Sequence, residues 1–248
     1  MKSVPTGIEN LDSALMMGVP TGYTILLSGT PGSGIELFAK QFASSYIPGE
    51  YSLYITTNER TEDILNTMKN FKWKTENITI INIGEAFYKR VLEKEIIISK
   101  YREEGIPAEE ILKPHKFKLE KEFEIITLVK YALSMVKTPY RLVLDSLDFL
   151  FSQTEHTEAL STVRTIKMHT QYTQGISLLT QVSSLYPSMV QNAIEEIVDI
   201  IFTMENVRTP LGFDRIFTIK KFRNFPDKVG VFKYNLTTTG ITISKIVH

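Results

Sequence analysis

Short apolar runs alternate along this chain with stretches of helical periodicity, and that alternation restricts the fold more than any other feature. The runs are Tyr23–Ser28, Tyr51–Thr56, Ile78–Ile83, Arg141–Leu144, Ile176–Gln181 and Val198–Met204. Runs such as YTILLS and RLVLD are continuously apolar, as strands covered on both faces require. Helical stretches separate most of them: Ile35–Tyr46, Glu62–Phe71, Lys121–Val136 and Thr157–Tyr172. Strand and helix in alternation predict an α/β chain with a mostly parallel sheet flanked by helices. The last part differs. DRIFTIKKF, VFKYNL and ITISKI are joined through turn residues without a helix, which predicts a late antiparallel extension.

A chain of 248 residues suits one α/β domain, here taken as 1–248 with a helical insertion at about 85–121. In that insertion EAFYKRVLEKEIIISKYREEG sets Phe87, Val91, Ile97 and Tyr101 near one helical face, and the basic KPHKFKLEK follows. A solvated helix and loop, or a partner-binding arm, both suit it. There is no cysteine, so disulfides and thiolate metal sites are excluded. His115, His156, His169 and His248 are scattered without metal-ligand spacing. The opening MKSVPTGIENLD lacks the apolar core of a signal peptide, and no apolar run approaches the ~20 residues of a membrane span. The expectation is a cytoplasmic protein with no membrane partner. Lys and Arg total 28 and Asp and Glu total 28, so no global field draws the chain to nucleic acid.

Between the first strand and the first long helix stands GTPGSG: Gly29, Thr30, Pro31, Gly32, Ser33 and Gly34. A glycine loop in that setting presents backbone N–H groups and a helix N-terminus to an anion. The phosphate-loop pattern G-x-x-x-x-G-K-[ST] then requires a lysine and a hydroxyl. This chain supplies Ile35 and Glu36. Farther on, RLVLD ends a strand in Asp145, the form of the motif whose aspartate holds Mg²⁺ in phosphate-loop NTPases.

Taken in order, TGIENLDSALMMGVPTGYTILLSGTPGSG, YITTNERTEDIL, RLVLDSLDFL, IEEIVDIIFTM and KKFR resemble the KaiC-like branch of the RecA superfamily, which includes archaeal RadA paralogues. The resemblance covers nearly the whole chain. It implies a RecA-like phosphate-loop core and, commonly, a hexameric ring with ATP at subunit boundaries. It further implies that Asp145 holds the metal of a Mg²⁺-nucleotide, that Lys221 and Arg223 reach a neighbour's phosphates, and that Gln181 stands at a γ-phosphate sensor position. Glu59 is the second of the family's paired acids, one of which activates water, and Asn58 replaces the first.

The departures from the family pattern bear directly on chemistry. Loss of the lysine removes one partner of a desolvated charge pair, which costs about 2–5 kcal/mol. Glu36 adds a negative charge beside the polyphosphate. In the first helical turn its carboxylate is either an ordinary exposed acid or an internal anion occupying part of the phosphate position. Lys40, five residues after Ile35, reads as a surface lysine on another helical face. No cofactor is required on this reading, and ATP with Mg²⁺ is expected to bind weakly. Three functions compete. The first is a degenerate ATPase homologue with weak or no hydrolysis, a regulatory or structural subunit assembling with itself or with an active relative. The second is an ATP-binding ATPase completed in trans by Lys221 and Arg223. The third is a RadA-paralogue-like DNA recombination mediator. SQTEHTEALS and the stretch from Val182 to Val207 contain no lysine or arginine, which counts against the third, since phosphate contacts dominate DNA affinity.

Overall fold

The computed structural model describes residues 2–15, 17–103, 125–136, 139–210 and 212–245. In chain order the strands are β1 (Ser3–Val4), β2 (Val19–Pro20), β3 (Thr24–Gly29), β4 (Tyr51–Thr56), β5 (Ile78–Asn82), β6 (Tyr140–Asp145), β7 (Ile176–Val182), β8 (Ile200–Thr209), β9 (Gly212–Phe222), β10 (Gly230–Thr237) and β11 (Gly240–Lys245). The helices are α1 (Glu9–Ala14), α2 (Ile35–Ser44), α3 (Thr61–Asn70), α4 (Ile83–Glu103), α5 (Ile125–Ser134), α6 (Leu147–Gln153), α7 (His156–Thr173) and α8 (Ser188–Ile197).

Nine strands form one sheet in the order β11-β10-β9-β8-β3-β7-β6-β4-β5, and β1 pairs with β2 apart from it. From β8 to β5 every neighbouring pair is parallel. Strands β9, β10 and β11 continue the sheet antiparallel. This is the expected α/β architecture with its late antiparallel extension.

The central strands lack alternation because both faces of the sheet are covered. On β3, Ile25 and Leu27 join a core with Phe38 and Phe42 of α2, Ile8 and Leu11, and Phe202 and Phe217. Leu26, pointing the other way, joins Leu142, Leu144 and Leu179 under Val129 of α5, Val163 and Ile166 of α7 and Ile194 of α8. Helix α8 was not among the predicted helices. Val190 and Ile194, one turn apart, bury its inner face. Helix α4 carries the start of the 85–121 segment, and the KPHKFKLEK stretch lies outside the described residues.

Residues far apart in sequence close the first core. Helix α1 packs on β11, and Asn10 Nδ2 donates to the Ile243 carbonyl at 2.7 Å. Gln41 of α2 donates to the Gly7 carbonyl at 2.9 Å and accepts from the Ile241 N–H at 2.7 Å. Among the described residues no helix is long and apolar enough to cross a membrane.

Parallel strands deliver their carboxyl ends to one edge of a sheet, where α/β folds bind ligands. Here that edge collects Gly29 from β3, the turn from Thr57 to Glu59 after β4, Asp145 from β6 and Gln181 from β7.

Candidate nucleotide site

The loop from Gly29 to Glu36 is a glycine turn that carries the chain from β3 into α2. Gly32 and Gly34 hold φ of 78° and 88°, left-handed values that glycine adopts without penalty. Gly34 is the residue before α2, and Leu37 and Phe38 N–H groups return to its carbonyl at 3.0 Å each. Side chains from the antiparallel half of the sheet hold the loop from beneath. Asn206 Nδ2 donates to the Gly32 carbonyl at 3.0 Å, and its N–H reaches Thr30 Oγ1 at 3.3 Å. The Tyr234 hydroxyl, buried on β10, donates to the Ser33 carbonyl at 2.7 Å. The Gly34 N–H, trans to that carbonyl, is thereby turned away from β10. Burial pushes the Tyr234 hydroxyl up to about 12, with the Glu36 charge adding to the rise against Arg215, so it stays a proton donor at neutral pH.

Two side chains of the loop depart from the phosphate-loop pattern, Ile35 at the lysine position and Glu36 at the hydroxyl position. Ile35 turns back over the start of the loop: a Cβ on Gly29 would lie 2.3 Å from Ile35 Cγ2 and 2.5 Å from Ser33 Oγ. Glu36 is exposed in the first turn of α2, where the helix dipole favours an acid. Pro31 is exposed at the loop tip, and Ser33 is buried.

At the ends of β4 and β6 the acids are occupied. Asp145 Oδ2 accepts from the Tyr54 hydroxyl at 2.6 Å and Oδ1 from Thr180 Oγ1 at 2.7 Å. Asn58 Nδ2 reaches Ser146 Oγ at 3.3 Å. Glu59 Oε2 lies 2.6 Å from Lys40 Nζ. Lys40, expected on the surface, is only 3% exposed, because α2 is buried along Phe38–Ser44 and its side chain runs inward to Glu59. The available sequence signal was a lysine enclosed by Phe38, Ala39, Phe42 and Ala43. Gln181, fully buried, pairs in register with Ser28. Its Nε2 donates to Gln191 Oε1 at 2.8 Å and to Ser28 Oγ at 3.3 Å, and its Oε1 has no hydrogen-bond partner among the described residues.

Lys221 and Arg223 stand at the other end of the sheet. β9 runs against β8, and Ile201 pairs with Lys221 beside the start of β8. Lys221 stands level with Leu26 of β3 and Arg223 with Thr24, three and five strand steps of about 3.3 Å before Gly29, or roughly 10 and 17 Å along the strand direction. Lys221 Nζ donates to the carbonyls of Glu195 at 2.6 Å and Val198 at 2.7 Å, closing the C-terminus of α8. Arg223 Nε lies 3.1 Å from Asp199 Oδ1. Asp199, 1% exposed, also pairs with Lys167 Nζ and accepts the Thr24 N–H at 2.9 Å. Two surface cavities, of about 340 and 440 Å³, lie toward that same end, and neither is lined by a loop residue.

A family model described as "ATPase: KaiC" matches residues 4–247. The chain belongs to the KaiC ATPase family. Among its KaiC relatives, the circadian clock oscillator protein KaiC of Parathermosynechococcus lividus is 26% identical over 243 residues, covering 96% of this chain and 41% of that protein. KaiC of Nostoc sp. is 26% identical over 248 residues, covering 98% and 44%. The chain therefore spans less than half the length of these KaiC proteins. A KaiC-like protein from the archaeon Pyrococcus horikoshii OT3 has the same fold, with a TM-score of 0.69, 18% identity and 98% of both chains covered.

Membership in the KaiC family raises the question of Mg²⁺-nucleotide. The backbone cradle suits a phosphate group. The metal ligands fit in part: Asp145 would hold the metal through the lone pair left on each oxygen beside its hydroxyl donor, whereas Glu36 stands where the pattern has a hydroxyl ligand. No group of three or more His, Asp or Glu side chains poised to hold a metal occurs among the described residues.

Proposed function

We propose that this chain is a KaiC-like subunit with weak or no ATP hydrolysis, acting in a regulatory or structural role within an assembly with itself or with an active relative. The observation that carries the reading is the split within the site. The loop backbone is pinned by Asn206 and Tyr234 and leads into the N-terminus of α2, the setting in which backbone N–H groups suit an anion. The groups that would do chemistry are replaced or engaged: Ile35 covers Gly29, Glu59 is paired with Lys40, and Asp145 is held by Tyr54 and Thr180. A fold kept while its chemistry lapses is suited to shaping an assembly. One domain over 1–248 with an insertion at about 85–121, and a cytoplasmic location, belong to this reading.

Completion in trans has one favourable feature: Arg223 is 41% exposed at the sheet end opposite its own loop, where a residue serving a neighbour would stand. Its pairing with Asp199, and the hydrogen bonds of the half-buried Lys221 ammonium to the end of α8, favour a local role for both.

Phosphate release from ATP tests the proposal. The wild type is expected to show little turnover, and Ile35→Lys with Glu36→Thr to bind nucleotide more tightly by about tenfold or more, as a restored charge partner implies. Turnover by the wild type at about 1 s⁻¹ or above, the ordinary range for enzymes, would refute it. Light scattering reads the assembly half, and a strictly monomeric chain with no related partner would remove it.

A further inference from the structure

Lys40 is the buried cation nearest in sequence to the loop. A buried ammonium needs a counter-charge, and Glu59 supplies it at 2.6 Å. Glu59 keeps 28% of its side chain exposed, so the pair reaches the surface through the acid. The buried Tyr54 hydroxyl is pushed well up by burial first, then by Asp145, with Glu59 and Glu36 adding to it. Asp145, Glu59 and Glu36 thus all lie close enough to act on one phenol. Side chains on a helix lean toward its N-terminus, which for α2 is the loop itself. An ammonium carries three donors on a flexible stem, more than one carboxylate oxygen can use.

We propose that Lys40 is this chain's substitute for the missing phosphate-loop lysine: it leaves Glu59 to bind the terminal phosphate of a nucleotide seated on Gly29–Glu36. Exchange of one anion for another keeps the ammonium paired throughout, so its burial is no barrier. Glu59 then acts as a competitor for the lysine, and affinity reflects the balance between carboxylate and phosphate. The inference rests on reading the loop as a phosphate cradle, and is independent of whether ATP is hydrolysed.

Titration calorimetry with ADP and with ATP, each with and without Mg²⁺, tests it on the wild type, Lys40→Met and Glu59→Gln. The wild type is expected to bind. Lys40→Met should weaken binding by about thirtyfold or more, the loss that follows truncation of one partner of a desolvated charge pair. Glu59→Gln should tighten it by freeing the ammonium. Equal affinity in wild type and Lys40→Met overturns the proposal, as does a wild type that binds neither nucleotide at millimolar concentration. If Lys40→Met fails to fold by circular dichroism, Glu59→Gln decides, and unchanged or weaker binding there overturns it. Phosphate release measured on the same samples keeps the two readings apart. Rapid turnover refutes the non-hydrolysing function, whereas the affinities alone judge Lys40.

Discussion

Asp199→Asn should be among the most destabilising single changes in this fold. Asp199 is 1% exposed and faces Lys167, Arg223 and the Thr24 N–H. An asparagine oxygen still accepts the Thr24 N–H, so that bond is not lost. What is lost is the charge opposite Lys167, whose side chain is 7% exposed. Burial already holds the Lys167 ammonium below the ordinary lysine range despite Asp199, so without Asp199 it has little left to offset desolvation. Breaking a buried pair on one side costs about 3–5 kcal/mol. Arg223, with 41% of its side chain exposed, is screened by water and adds at most ~1 kcal/mol. At about 2–4 °C per kcal/mol for a chain of this size, the melting temperature should fall by roughly 6–20 °C. Urea unfolding followed by circular dichroism gives the free energy directly. The double variant Asp199→Asn, Lys167→Met removes both charges and should regain much of the loss, since a buried pair replaced on both sides is often neutral. A single variant within ~1 kcal/mol of wild type, or a double variant less stable than the single, would refute the reasoning.

Two further outcomes concern the site edge. Tyr234→Phe removes the donor to the Ser33 carbonyl and should cost about 1 kcal/mol, with faster amide exchange at Gly34 and Ile35 by hydrogen-exchange mass spectrometry. Asp148, which accepts from Tyr186 and the Val182 N–H, has its carboxyl raised above 3.8, chiefly by burial. The folded state therefore holds that proton more tightly than the unfolded chain. Its contribution to stability is greatest below 3.8 and declines as pH rises through the elevated folded value. Asp148→Asn should flatten this part of the profile, and chemical unfolding at several pH values in the acidic range reads the difference.

Much of the architecture was legible because β3, β6 and β7 are covered on both faces, and YTILLS, RLVLD and ISLLTQ carry that fact as unbroken apolar runs. The late strands were legible through their turns. Helix α8 was not, because only two of its positions, Val190 and Ile194, are buried, too few to mark a helical face in the sequence. At the site, the identities of Ile35 and Glu36 were plain from spacing. The inward turn of Lys40 was not, because helical position tells which face a residue occupies but not which acid a neighbouring strand brings there. The engagement of Lys221 with the end of α8 likewise depends on β9 lying beside β8, which local pattern does not reveal.

The bond from Asn10 to the carbonyl of Ile243 has a consequence in time. Its partners lie 233 positions apart, and Gln41 waits on Ile241 across 200. At roughly 5–20 residues per second, a ribosome needs about 10–50 s to pass from one to the other. Throughout that interval Ile8, Leu11 and Leu15, which end fully buried, have no β11 to lie against. Helix α1 is therefore among the later elements to find its place, and a pause before β11 is translated prolongs the period in which Ile8, Leu11 and Leu15 stay open to whatever chaperone is near.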